Sequence, residues 1–196
     1  MAKAKKNKKI GLALGSGSAR GMSHIGVIQA LREMGIQPDF VAGCSVGAMV
    51  GASYATANLD KLTDWALSMT ESKIKDFLSL NFSGSGFVNS LKLQKLFEHA
   101  IGIESLTFKD MKMPFGAVAT NLNNGREVWL TEGSVHEALW SSMAFPGLFP
   151  SVLHNNQWLV DGGLVNPVPV SLCRALGADL VIAVNLNADI IKSYKT

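Results

Sequence analysis

Three short stretches carry side chains able to make and break bonds. Gly43-Cys44-Ser45-Val46-Gly47 sets a serine between two glycines. Asp161-Gly162-Gly163 closes the apolar run Trp158-Leu159-Val160 with a carboxylate. Gly15-Ser16-Gly17-Ser18-Ala19-Arg20-Gly21 offers a row of backbone N–H groups beside a cation. A serine hydroxyl is a poor nucleophile until a base takes its proton. A carboxylate is a weak base in water, but burial raises its pKa and removes competing solvent. Backbone amides aimed at one point can hold the oxyanion formed when a carbonyl is attacked. Nucleophile, base and amide cradle are the parts of an acyl-transfer site. Each also has a plain reading: the serine as a helix N-cap, Asp-Gly-Gly as a turn, and the glycine loop as a connection.

Histidine is the more usual partner of a nucleophilic serine, and there are four: His24, His99, His136 and His154. His99 and His136 fall within expected helices. His154 falls in the turn His154-Asn155-Asn156, which makes it the best candidate for a Ser–His–Asp triad in α/β-hydrolase order. His24 lies near the glycine loop, where it is expected to pack or hydrogen-bond. A rival use of that loop is a nucleotide-binding module, since Gly15-x-Gly17-x-x-x-Gly21 resembles a relaxed dinucleotide fingerprint. That fingerprint wants an acidic residue at the far end of the second strand. Asp39 lies at the near end, and the far end carries Gly43-Cys44-Ser45.

The elements around these stretches explain how they could meet. Residues 10–14 read as a central strand, and Ile25, Ile28, Leu31 and Met34 recur at helical spacing. Gly35 ends that helix and Pro38 follows. Residues 40–42 read as a buried strand and 46–57 as a small-residue helix, so Ser45 would stand on a sharp strand-to-helix turn. Strand, helix, strand makes a right-handed βαβ unit, hence a parallel sheet with helices on its faces. It would set the glycine loop and Ser45 side by side at the carboxyl edge.

Further on, Leu59, Leu62, Trp65, Ala66 and Met69 suggest one amphipathic helix, and Leu93, Leu96, Phe97 and Ala100 another. The loop over 80–88 between them could be a lid, an acyl-binding wall or a plain connection. Residues 115–120 and 127–130 alternate as strands around Asn123-Asn124-Gly125. Residues 134–143 read as a helix with Ser134 and Glu137 forming a capping box. Residues 158–160 form a strand, 168–176 a helix, and 179–186 contain the last strand.

Composition narrows the classes. The chain has 196 residues, 47% hydrophobic and 17% charged, enough for one globular domain with a substantial core. Five of its lysines stand in the first nine residues, and without them the net charge of +3 becomes −2. A nucleic-acid footprint spread over the body is therefore not expected. The basic tail over 1–9 reads as a disordered leader, or as a segment attracted to anionic headgroups. Two cysteines make no disulfide framework and no zinc spacing, which fits a cytoplasmic, reducing compartment.

Four ordered motifs resemble the bacterial patatin-like phospholipases, the Ser–Asp-dyad group that includes the catalytic domain of neuropathy target esterase. They are the Gly15–Gly21 loop with Arg20, the Gly43-x-Ser45-x-Gly47 elbow, Ala144-x-Pro146-Gly147-x-Phe149-Pro150 and Asp161-Gly162-Gly163, spanning about residues 9 to 187. The resemblance implies a three-layer α/β/α fold with a mostly parallel sheet, residues 10–196 forming a single hydrolase domain. It implies Ser45 as nucleophile and Asp161 as base, with the Gly17 and Ser18 amides holding the oxyanion. Arg20 would orient the loop or add positive potential, and Gly15, Gly21, Gly43, Gly47, Gly162 and Gly163 would support the motifs. Substrates would be phospholipids, lysophospholipids or other fatty-acyl esters, met peripherally at a membrane, with no metal or cofactor. Two departures stand out. Ser18 replaces a usual glycine, a strain if that backbone needs φ > 0, and Ser151 replaces a common second proline. Many members continue past the last strand with further helices, so the resemblance fits a compact member or a fragment.

Overall fold

The computed structural model describes residues 8–70, 102 and 105–188. The tail up to residue 7, the 80–88 loop, the helix expected around Leu93 to Ala100 and His99 lie outside the described residues.

The apolar runs form the expected parallel strands. β1 (Ile10–Leu14) lies between β2 (Phe40–Cys44) and β7 (Leu180–Val184), and β2 pairs on its other side with β3 (Phe115–Asn121), all parallel. Three further strands are antiparallel: β4 (Glu127–Leu130) and β6 (Gln157–Asp161) pair with β3, and β5 (Val152–His154) pairs with β6. The sheet is thus mixed, with four of its seven described strands parallel.

The register along β3 positions the site. β2 pairs with Phe115 to Val118, with Cys44 opposite Val118. β6 pairs with Ala119 to Asn121, with Asp161 opposite Ala119. β4 runs past both sets, from Ala117 to Thr120. A strand has two edges, so β4 occupies one, while β2 and β6 share the other end to end. The last residue of β6 therefore abuts the turn that leaves β2.

Alternation along the strands divides the core between two faces. Leu12, Leu14, Val41, Ala117, Ala119 and Leu159 face one large cluster, which α1 (Ser23–Glu33), α2 (Val46–Ala55), α3 (Leu59–Ser68) and α4 (Val135–Met143) cover. Ala13, Ala42 and Val118 face the other side, where Leu172 and Cys173 of α5 (Val170–Ala175) cover them. Helices on both faces make the three layers, and Gly47 to Ala55 of α2 are all buried. Small residues are what allow a helix to be enclosed so tightly between sheet and helices.

Several boundaries differ from those read in the sequence. Met34 caps α1 and is 71% exposed, not part of its apolar stripe. Ser134 accepts from the Glu137 amide as expected, but the Glu137 carboxylate turns to His154. β5 has three residues, too few for a legible alternation, and it places His154 at a strand end. The hairpin loop is Asn155-Asn156, both left-handed at φ 46 and 59, which is the two-residue type I′ geometry. Glycine adopts the second position of such a turn without a side-chain clash. Asn156→Gly gives the Asn-Gly pair preferred in such turns and is expected to hold or raise Tm, whereas Asn156→Val, β-branched at φ 59, should lower it; a Tm unchanged in Asn156→Val refutes the turn assignment.

Candidate active site

Ser45 links β2 to α2 with φ 55 and ψ −127, a combination costly for any residue with a Cβ. Such positions cost roughly 1–3 kcal/mol and persist only where their surroundings over-determine them. Here they do. The Ser45 carbonyl accepts from the Ala48 amide at 2.9 Å, opening α2, and the Ser45 amide donates to Ser142 Oγ at 2.9 Å. The hydroxyl donates to Asp161 Oδ2 at 2.7 Å. Glycines permit the turn because a Cβ on Gly43 would overlap the Ala48 backbone, and one on Gly47 the carbonyls of Leu14 and Gly15.

Asp161 is 3% exposed and fixed at every polar atom. Its amide donates to the Ala144 carbonyl at 3.0 Å, and its carbonyl accepts from Thr120 Oγ1 at 2.8 Å. Oδ1 accepts from the Gly163 amide at 2.7 Å, which leaves Oδ2 to the serine. Burial pushes the carboxyl above its ordinary value, and the hydrogen bonds from Ser45 and Gly163 offset part of that rise. Gly162 must be small because a Cβ there would overlap the Val118 carbonyl; one on Gly163 would crowd Asp161 Oδ1 at 3.0 Å.

The glycine loop closes over the same point. It leaves β1 where the chain turns to β2 on one side and β7 lies on the other, the usual crevice of an open α/β sheet. A Cβ on Gly21 would overlap Val46, one on Gly15 would press on the Val184 carbonyl, and Ser16 lies against Gly163. The Gly17 and Ser18 amides have no acceptor among the described residues. Gly17 is extended at φ −177, and Ser18 takes φ 51, so serine occupies the left-handed position where glycine fits without strain. Arg20 bends back onto the loop, with Nε 3.5 Å from the Gly17 carbonyl and Nη2 donating to Asn187 Oδ1 at 3.0 Å.

Ser45 and Asp161 are therefore in direct contact. The glycine loop packs on the elbow and the Asp161 turn through Gly21, Gly15 and Ser16, and Arg20 is tied to Gly17 and Asn187. His24 and His154 bond elsewhere. His24 is fully buried, with Nε2 donating to the Gly15 carbonyl at 2.7 Å, and burial lowers its pKa. Its place is beneath the loop, as expected. His154 Nδ1 lies 2.8 Å from Glu137 Oε1 and its Nε2 3.1 Å from Asn155 Nδ2, so both ring nitrogens are engaged elsewhere. The triad reading is corrected accordingly: the partner of the Ser45 hydroxyl is Asp161. Asp39 is held by Lys9 at 2.6 Å and by the Ile10 amide at 2.8 Å, away from the loop's carboxyl edge. Among the described residues no group of His, Cys, Asp or Glu could hold a metal ion, and no helix is long and apolar enough to cross a membrane.

Sequence reading missed two contributors. Ser142 sits fully buried in the last turn of α4; a paired Ser141-Ser142 inside an apolar helix was its only signal. Asn187, just past β7, donates to the Ser16 carbonyl and hydroxyl at 3.2 Å each while accepting from Arg20.

The patatin-like phospholipase profile matches residues 12–174. The chain belongs to that family. It is 38% identical over 179 residues to an uncharacterized NTE family protein of Mycobacterium tuberculosis, covering 91% of this chain and 49% of the relative. It is 31% identical to lysophospholipase NTE1 of Pyricularia oryzae, over 95% of this chain and 13% of that one. The chain thus spans about half the length of the mycobacterial relative. Among solved structures, VipD from Legionella pneumophila aligns with a TM-score of 0.62 over 83% of this chain and 47% of that one, at 15% identity, a likeness of fold.

Two outcomes follow from the burial of Asp161 and the backbone of Ser18. Asp161 has a folded pKa above its unfolded 3.8. Stability is therefore lost as pH rises from that value through the folded pKa. Asp161→Asn removes the buried charge and keeps groups able to accept from Gly163 and meet Ser45. Its Tm should match the wild type in acid and exceed it increasingly as pH rises from 3.8 through the folded pKa, then by a constant amount; a pH-independent difference refutes this. Ser18→Gly relieves the left-handed serine and should stabilise the fold by about 1 kcal/mol, seen in denaturant unfolding; destabilisation refutes it.

Proposed function

We propose that the chain is a serine acyl hydrolase that cleaves fatty-acyl esters through a Ser45–Asp161 dyad. The single observation that carries this is the 2.7 Å hydrogen bond from the Ser45 hydroxyl to a buried carboxylate whose pKa is raised. A base so placed takes the serine proton as Oγ attacks the ester carbonyl. Charge then develops on the former carbonyl oxygen, where the Gly17 and Ser18 amides, which have no acceptor among the described residues, would receive it. Collapse of the tetrahedral adduct expels the alcohol, which regains the proton from Asp161 and leaves an acyl-serine. Water enters and gives a proton to Asp161 as its oxygen attacks the acyl carbonyl. The second adduct then collapses: Ser45 Oγ leaves, takes that proton back from Asp161, and the fatty acid is released. Arg20 serves this cycle by holding the loop through Gly17 and Asn187.

Family membership and a relative named a lysophospholipase favour lipid esters as the substrate class. So do the apolar side chains beside the dyad. Phe145 and Leu148 follow α4 next to Ala144, the residue bonded to the Asp161 amide, and Leu164 follows Gly163; they are 47%, 47% and 54% exposed. Exposed side chains of this kind suit acyl chains presented at a lipid surface. Peripheral membrane contact, with the basic N-terminal run adding attraction to anionic headgroups, completes the reading.

Steady-state turnover of p-nitrophenyl butyrate should fall at least about 10³-fold in both Ser45→Ala and Asp161→Asn. A fluorophosphonate probe should modify Ser45. Wild-type activity should rise with pH as Asp161 loses its proton, with a midpoint above 3.8. Substantial turnover by either folded variant would remove that residue from the mechanism.

A further inference from the structure

We infer that Ser142 is a positioning residue for the nucleophile, fixing the strained elbow by accepting the hydrogen bond of the Ser45 amide. The inference rests on the acyl-hydrolase reading and adds to it a residue outside the dyad and the glycine loop. Ser142 Oγ lies 2.9 Å from the Ser45 nitrogen and links residues 97 positions apart. The side chain is 0% exposed, so its bond to the Ser45 amide is shielded from bulk water. Its neighbour Ser141 is equally buried, yet its hydroxyl donates to the Glu137 carbonyl within the same helix. Two adjacent serines therefore do different things, one for its own helix and one for the elbow.

The elbow needs that contact. At φ 55 and ψ −127 the Ser45 backbone is held away from its relaxed conformations. Its carbonyl is tied to α2, its hydroxyl to Asp161, and its amide to Ser142. Without the last bond, the peptide between Cys44 and Ser45 is free to turn and carry Oγ out of line with the incoming carbonyl. Small misplacements of a reacting atom cost large factors in rate. The bond also divides labour among the amides. The Ser45 N–H is committed to Ser142 and so is not free for an oxyanion, whereas the Gly17 and Ser18 amides have no acceptor among the described residues.

The test compares Ser142→Ala, Ser142→Cys and Ser141→Ala in the full chain. It measures kcat and KM for p-nitrophenyl butyrate, thermal stability, and hydrogen exchange of the Ser45 amide by NMR. Ser142→Ala should lower kcat about 10- to 100-fold with KM within about twofold, and Ser45 amide protection should drop at least about tenfold. Ser142→Cys, nearly the same shape with a weak acceptor, should fall between. Ser141→Ala should keep kcat and Ser45 protection even where it lowers Tm. Equal kcat in Ser142→Ala and Ser141→Ala, or unchanged Ser45 protection in Ser142→Ala, overturns the proposal. If the wild-type chain turns over no ester while the exchange difference stands, the catalytic reading fails and the elbow contact survives.

Discussion

The hydrogen bond from Ser45 to Asp161 joins groups 116 residues apart, and it exists because β2 and β6 meet end to end against β3. Had β6 paired along its own full edge of the sheet, the carboxylate would stand at least one strand spacing away, about 4.8 Å in the hydrogen-bonding direction. Sharing an edge removes that gap. Asp161 opposes Ala119, the residue after the one that Cys44 opposes, so the two chain ends converge at a single point. Thr120 and Ala144 then clamp the Asp161 backbone from the two elements that flank it. The precision of the contact is a property of strand register, and register is firmly set wherever a face is buried.

That convergence crowds three chain reversals into one volume, and the crowding explains both the glycines and the strain. Elbow, glycine loop and Asp161 turn lie so close that a methyl group at Gly43, Gly47, Gly21 or Gly162 would overlap a neighbour. Ser18 and Ser45 carry the remaining mismatch as left-handed backbone. Neither conformation is favourable alone. Both are tolerated because the surrounding sheet is nearly dry: Leu12, Ala13, Leu14, Val41, Ala42 and Ala117 are wholly buried. Each fully buried Leu or Val contributes about 1.5–3 kcal/mol, a reserve from which a few strained residues can be sustained.

The sequence marked the residues that meet at the candidate site more clearly than the scaffold details. Ser45 and Asp161 stood out because turn chemistry is local: glycines stand on both sides of Ser45 and directly after Asp161, and an apolar strand precedes each. The βαβ start was legible for the same reason. What was not legible depends on distant partners. Ser142 reads as an ordinary helix serine until β2 is placed against α4. Asn187 reads as a loop residue until the glycine loop arrives beside it. β5 is too short for its alternation to register, so His154 looked like a free turn histidine when it is a strand-end residue paired to Glu137. Met34 fitted a helical spacing that the helix does not reach, because Gly35 at φ 71 has already begun to unwind it.

The placement of charge also bears on the proposed pairing of Ser45 with a carboxylate instead of a histidine. A cation against the carboxylate would lower its pKa and weaken it as a base. Among the described residues, the donors to the Asp161 carboxylate are a hydroxyl and a backbone amide, both neutral. The nearby guanidinium of Arg20 is drawn to Gly17 and Asn187 instead. The positive charge of Arg20 is thus kept on the glycine loop and off the Asp161 carboxylate. An Asp161 bonded to Arg20 would sit in a better ion pair and be worse at accepting a proton. Asn187 matters to this arrangement because it gives the guanidinium somewhere else to bind, and in doing so it ties the last strand to the loop that begins after the first.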